Sequence, residues 1–260
     1  MQHTPSSDNS FPPLESALTD PNGLLALGGE LSCERLEEAY SLGIFPWYDD
    51  DQPIMWWSPD PRAVMHPNKL HLSRSLKKRM RQSCYQLTIN RAFEQVIDGC
   101  AEKRDESDGT WITEEMREAY IKLHQRKLAH SFEVWDNETL IGGLYGVASG
   151  RVFSGESMFH SRTDASKIAF AFTCMQIQRW GFELLDCQIM NPHLESLGVE
   201  ELTREAFKQY LPSYSDNNSD SKRPSTVEAW KSLDWNNTSA LAEAFINEQE
   251  NIPTKQRAKG

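Results

Sequence analysis

What this chain of 260 residues lacks removes several classes of protein at once. It has no run of eighteen apolar residues, the length that a membrane-spanning helix requires, so no membrane partner is expected. Met1 to Ser10 is polar, without the basic and apolar regions of a secretory leader, and a cytoplasmic protein is expected. The cysteines, at 33, 84, 100, 174 and 187, are odd in number and include no Cys-x-x-Cys pair. That pattern argues for reduced thiols and against both a disulfide framework and a zinc site. His160 and Asp164 could join Glu156 around a metal, but no second histidine stands near them, and neither metal nor cofactor is expected. Basic residues are also in deficit: 27 Lys and Arg against 38 Asp and Glu leave a formal charge of −11, which as a sum disfavours a nucleic-acid partner.

One stretch lacks acid instead. Lys69, Arg74, Lys77, Lys78, Arg79 and Arg81 occur with no Asp or Glu among them. Charge is screened within about 8–10 Å, so a local basic patch on an acidic protein can still bind a polyanion. Ser73 to Gln82 reads as a helix with Leu76 and Met80 inward and the cations outward, a face suited to phosphates as well as to solvent.

Along the chain, Ser32 caps a helix that Gly43 ends, with Leu31 and Leu36 at the staple positions and Leu36, Ala39 and Tyr40 on its apolar face. Gly43 to Arg62 holds three tryptophans and four prolines, a composition that excludes regular helix or central strand and predicts a rigid aromatic surface. Trp47 is the candidate for an exposed platform, whereas Trp56 and Trp57 suit internal packing. Phe93 to Cys100 reads as helix, and Thr113 caps another that runs to about Lys127, with Trp111 just before the cap. Ser131–Trp135, Leu140–Ala148 and Arg151–Met158 read as an antiparallel meander, followed by a helix from Thr163 or Asp164 to Trp180 with Ile168, Phe172 and Met175 on one face. A strand over Phe182–Ile189 completes an α+β sheet domain. Beyond Tyr210 the chain becomes rich in Ser, Asn and Asp, with a short amphipathic helix expected over Ser239–Glu250.

Within the sheet region, Glu156, Asp186 and Gln188 put polar groups on otherwise apolar strands. An unpaired buried carboxylate costs several kcal/mol, so each needs either an ion-pair partner or a functional reason. Asp186 and Gln188 lie two apart and share a strand face, while Cys187 points the other way into the core. An amide does not titrate, so this pair suits holding an amine or ester better than acid–base work. Gly155 marks a bulge, which would let Phe153 and Glu156 face one pocket.

These motifs resemble a known family. The strings Pro21–Gly29, Gly43–Trp47, Trp56–Arg62, Gly155–Phe159 and Asp186–Gln188 are similar to those of the leucyl/phenylalanyl-tRNA–protein transferases, in order over about residues 11 to 210. The resemblance implies a small N-terminal α/β domain (1–63), an acetyltransferase-like (GNAT) catalytic domain with a mixed sheet (64–211), and a polar linker and tail (212–260). It implies transfer of Leu or Phe, and less well Met, from aminoacyl-tRNA to the N-terminal Arg or Lys of a protein, marking that protein for N-end-rule degradation. By the same resemblance Trp47 and Trp111 hold the terminal adenosine, with Tyr40 near them; Phe153 and Met158 wall an apolar pocket; Glu156, Asp186 and Gln188 form its polar floor; and Arg74, Lys77, Lys78 and Arg79 bind tRNA.

Leu144 stands where the pocket could carry another Met, and Thr173 and Ile177 stand where larger aromatics would be expected. These differences bear on the balance between Leu and Phe. Two rivals remain open. An acetyl-CoA-dependent N-acetyltransferase would share the fold, but His160–Lys167, where its pyrophosphate loop would lie, contains no glycine. A tRNA-binding adaptor without chemistry would not need Glu156, Asp186 and Gln188.

Overall fold

The computed structural model describes residues 10–102, 112–214, 230 and 234–250. Trp111 and the linker from 215 to 229 lie outside these residues.

The N-terminal part builds a small antiparallel sheet. Strand β1 (Leu24–Leu27) leads into helix α1 (Cys33–Ser41), then β2 (Phe45–Pro46) and β3 (Met55–Trp57), paired in the order β1-β3-β2. Ser32 Oγ accepts the Arg35 N–H at the start of α1 (3.3 Å), as the sequence predicts. The tryptophan-rich segment departs from expectation: Trp56 and Trp57 lie in the central strand of this sheet. The strand takes only three of the five residues between Pro53 and Pro59, so it is complete before a missing N–H can interrupt it. Both indoles also perform packing, Trp56 Nε1 donating to the Gly28 carbonyl (2.9 Å) and Trp57 Nε1 to the Trp47 carbonyl (2.7 Å).

The larger sheet has seven strands. In chain order the elements are β4 (Arg62–Met65), α2 (Arg74–Ser83), β5 (Gln86–Ile89), α3 (Phe93–Ala101), α4 (Glu114–Gln125), β6 (Ala129–Asp136), β7 (Thr139–Ser149), β8 (Val152–His160), α5 (Ala165–Arg179), β9 (Leu184–Gln188), α6 (Pro192–Glu195), β10 (Glu200–Leu202), α7 (Arg204–Lys208) and α8 (Thr238–Glu250). The strand order is β10-β4-β9-β8-β7-β6-β5, with β8 and β9 parallel across the α5 crossover and every other pair antiparallel. The α+β class and the mixed sheet are those expected. The expected meander is β6-β7-β8, while β4, β5 and β10 are additional strands of three or four residues.

Each face of the large sheet is covered. On one side Phe132, Phe153 and Leu185 pack with α5, Leu76 and Met80 of α2, and Leu241 and Phe245 of α8. On the other, Tyr145 and Val147 join α1, α3, α4 and the tryptophans of the small sheet in one cluster. Helix α5 differs from the one-sided helix expected: twelve of its fifteen residues are buried. It lies between the sheet and the α2–α8 layer, so no face of it is left to solvent. Thr238 ties α8 to α2, its hydroxyl donating to the Met80 carbonyl (2.8 Å) and accepting the Tyr85 N–H (3.1 Å).

Candidate active site

Strands β8 and β9 run together only as far as Ser154 and Asp186. Beyond that level each carries an irregularity. In β8, Tyr145 faces Ser157 and Gly146 faces Gly155, so Glu156 is the extra residue of a bulge. A Cβ on Gly146 would stand 2.2 Å from the Ser154 carbonyl oxygen, which only glycine allows at this crossing. In β9, Ala63 faces Gln188 and Val64 faces Asp186, leaving Cys187 over. The parallel strands therefore part, and a cavity of about 330 Å³ occupies the gap.

The cavity has apolar walls and a polar floor. Leu144, Met158, Phe170 and Leu185 line one side, and Phe45, Pro46 and Trp47 the other. Glu156 and Gln188 meet on the floor, Gln188 Nε2 donating to Glu156 Oε1 (3.3 Å). Trp47 and Ile189 stand 41% and 45% exposed at the mouth. The Trp47 indole leans on Trp57, with ring centroids 5.6 Å apart.

Glu156 sits at the end of a chain of phenols. Tyr120 Oη donates to Glu156 Oε2 (2.9 Å), and the Tyr40 and Tyr120 hydroxyls share a hydrogen bond of 2.5 Å. The Tyr145 hydroxyl is buried beside them with no hydrogen-bond partner among the described residues. Burial raises the carboxyl of Glu156 to about 7, with the Tyr40 and Tyr120 phenols opposing and the Asp186 charge adding to the rise. Burial first, and the Glu156 charge second, hold all three phenols well above their usual range. Part of Glu156 still faces the cavity, so it is a group at the floor of a cleft and not in a sealed core.

Asp186 has a different setting. It is 1% exposed and does not line the cavity. Its carboxylate is gripped by the Arg62 fork, Nε to Oδ1 and Nη2 to Oδ2 at 2.8 Å each. Oδ1 also accepts the Gln188 N–H (3.0 Å), and Oδ2 the Ser154 hydroxyl (3.3 Å). Of the two explanations for buried carboxylates, the ion pair fits Asp186 and the open site fits Glu156.

The other sequence-predicted residues separate as follows. Met158 lines the cavity; Phe153 does not. The bulge at Glu156 is present, yet Phe153 packs edge-on against Phe132 and Phe182 on the α5 face, while Glu156 turns to Tyr120 on the other. Tyr40 is buried and reaches the cavity only through Tyr120 and Glu156. Cys187, expected in the core, is buried but forms part of the cavity wall, because the extra residue in β9 turns it there. Burial, with Asp186 next to it, pushes its thiol well up, which disfavours a nucleophilic thiolate. Leu144 lines the cavity, and Phe170 is the α5 residue that does so in place of Thr173 or Ile177. Trp111 lies outside the described residues. On α2, Arg74 and Lys78 are exposed and make no ion pair among the described residues, Arg79 pairs with Asp164 (2.9 Å), and Lys77 Nζ lies 5.6 Å from the Phe245 ring.

Sequence reasoning missed Arg62, Tyr120, Tyr145 and Ser154. Arg62 alone carried a signal, as the one charge on the otherwise apolar run Arg62-Ala63-Val64-Met65.

A family model described as leucyl/phenylalanyl-tRNA protein transferase matches residues 64–212, and one for the N-terminal domain of the same transferase matches residues 29–60. A leucyl/phenylalanyl-tRNA–protein transferase from Stutzerimonas stutzeri is 52% identical over 86% of this chain and 96% of its own length. One from Azotobacter vinelandii is 56% identical over 80% of this chain and 92% of its own. Among solved structures, L-PGS from Bacillus licheniformis covers 84% of this chain and 70% of its own at 12% identity, with a TM-score of 0.37, too distant to carry an argument.

Proposed function

The chain belongs to the leucyl/phenylalanyl-tRNA–protein transferase family, an aminoacyltransferase family, and from that premise we propose that the cleft between β8 and β9 is where the aminoacyl ester meets the acceptor amine. The observation that carries this is the cavity itself: apolar walls ending on a floor of one carboxyl and one amide. The leucyl or phenylalanyl side chain of the donor enters between Leu144, Met158 and Phe170, with methionyl accepted less well. Met158 gives one wall the adaptability to take either a branched aliphatic or an aromatic group.

The ester is already activated, so the protein has to position more than to activate. The acceptor α-amine attacks the ester carbonyl carbon, a C–N bond forms, the C–O bond to the tRNA ribose breaks, and the amine proton passes to the departing ribose oxygen. An α-amine has an ordinary pKa of about 7.7–8.0, so a neutral fraction is present at cellular pH. Holding it against the ester can supply about 7–11 kcal/mol of the barrier. Glu156 and Gln188 are the groups within reach of that amine, and the acidic floor suits an acceptor that begins with Arg or Lys. Asp186 acts behind them, since its oxygens are already taken.

Trp47, exposed at the mouth, offers a stacking face for the terminal adenine worth roughly 1–3 kcal/mol, with Trp111 the second aromatic by family resemblance. Arg74, Lys77, Lys78 and Arg79 provide the phosphate contacts along α2. Residues 1–63 and 64–211 are read as the N-terminal and catalytic domains, which the two family models on either side of residue 62 support. The protein is assigned to the bacterial cytoplasm, where it marks substrates for N-end-rule degradation.

Supplying Phe-tRNA or Leu-tRNA with peptides that begin in Arg, Lys or Ala tests this. Transfer to Arg and Lys but not to Ala is expected. Failure of transfer to every peptide, or tight binding of acetyl-CoA in calorimetry, contradicts it.

A further inference from the structure

We propose that Arg62 is a positioning residue for this reaction: it fixes the backbone of Gln188 through Asp186, and the aromatic wall of the cavity through Gly43 and Phe45. The inference rests on Gln188 being one of the groups that hold the acceptor amine.

Arg62 is 2% exposed, and each of its three guanidinium nitrogens donates a hydrogen bond. Two nitrogens grip Asp186 at 2.8 Å, and Nη1 donates to the Gly43 carbonyl at 3.1 Å. Its Cζ also lies over the rings of Phe45 and Phe207, 4.8 and 4.9 Å from their centroids. Phe45 lines the cavity and leads directly into Pro46 and Trp47. One side chain thus joins the β2 wall to the end of β9.

Asp186 accepts four hydrogen bonds, from Arg62 Nε, Arg62 Nη2, Gln188 N–H and Ser154 Oγ. A carboxylate offers about four lone-pair positions, so no acceptor is left for a substrate amine or for the Gln188 amide. Whatever Asp186 contributes must therefore pass through the Gln188 backbone. That backbone has φ at 58°, a left-handed value uncommon outside glycine, and Ile189 N–H closes a three-residue turn onto the Cys187 carbonyl (2.8 Å). A turn of this hand is strained and persists only where its surroundings hold it. The Asp186 acceptor on the Gln188 N–H is such a hold, and it aims the amide at Glu156. A salt bridge that served stability alone would need neither the turn nor the cavity wall. Lysine cannot replace this arginine, because one ammonium does not reproduce a planar fork with contacts in three directions.

The experiment compares Arg62→Lys, Gln188→Ala and the double variant in steady-state transfer from Phe-tRNA to a peptide beginning with Arg, with thermal unfolding to confirm folding. Arg62→Lys should lower kcat by about 10- to 100-fold while KM for both substrates stays within about twofold. Gln188→Ala should show a comparable loss, and the double variant should be slower than Gln188→Ala by far less than the product of the single losses, because only the aromatic wall is then left for Arg62 to position. If the losses multiply, or if Arg62→Lys raises KM and spares kcat, the role of Arg62 is overturned while that of Gln188 stands. Full activity of Gln188→Ala removes the role of Gln188 and this inference with it. Should Arg62→Lys fold poorly, the paired Arg62→Met, Asp186→Leu variant replaces the buried ions by apolar groups of similar volume, an exchange proteins often tolerate. It should fold and remain slow; recovery of wild-type kcat would overturn the proposal.

Discussion

Asp186 and Glu156 stand on neighbouring strands, both among hydrogen-bond donors, and they differ in how far the protein has filled their acceptor positions. Asp186 has a full guanidinium fork, a backbone N–H and a hydroxyl. Glu156 has one phenol and one amide, and its carboxyl is raised to about 7. Glu133, also fully buried, follows Asp186: it accepts from Ser131 Oγ (2.6 Å) and from the Arg91 and Ala92 N–H groups (3.1 Å each) at the start of α3. A saturated carboxylate serves as a fixed strut. One left short of donors at the floor of a cavity is available for a substrate. The count of donors and the opening onto the cavity separate the two roles together.

The comparison breaks most sharply on Asp186→Ala, which strands a buried guanidinium. We expect a loss of about 3–5 kcal/mol in denaturant unfolding, whereas Glu156→Ala should cost far less. Equal costs would mean that the two carboxylates are not different in kind.

The second contrast is between Phe153 and Met158. Phe153→Ala opens a hole in the core and should cost about 3–5 kcal/mol with no change in donor preference. Met158→Ala should cost less stability but shift the relative kcat/KM for Leu-tRNA and Phe-tRNA, by a few-fold to about tenfold. A preference shift confined to Phe153→Ala would relocate the pocket.

A smaller effect sharpens the Glu156 side. A raised carboxyl favours the folded state fully below its ordinary value near 4.5, and that contribution is lost as pH rises through about 7. Glu156→Gln cannot ionise, so its stability relative to wild type should improve across this window by about 1–2 kcal/mol, moderated by the open cavity. A gap that is flat with pH would contradict the raised carboxyl. The smallest stability effects belong to α2: Arg74→Glu and Lys78→Glu should change unfolding by less than about 0.5 kcal/mol. Each should reduce the salt slope of tRNA binding by about one, and an unchanged slope would remove that side chain from the tRNA footprint.

What could be read from sequence was local. Ser32, Ser73 and Thr113 marked three helix starts because a cap and its N–H partner lie three residues apart. The strands β4, β5 and β10 were illegible because three or four residues carry little periodicity, and their reason to be strands is a partner far along the chain. The site divided in the same way. Glu156, Asp186 and Gln188 were visible as polar residues on apolar strands, but which of them had a partner was decided by Arg62, 124 residues from Asp186. Phe153 and Glu156 were expected on one pocket from a correctly placed bulge. Only the packing of Phe132 and Phe182 shows that Phe153 belongs to the opposite face.

The central claim, that Glu156 is the carboxyl left open for chemistry, is tested most directly by following the glutamate side-chain carboxyl carbons by NMR across pH. One resonance should titrate near 7 and be absent from Glu156→Gln. If the resonance lost in that variant titrates in the ordinary range near 4.5, Glu156 is as well satisfied as its neighbour, and the division between strut and working group fails.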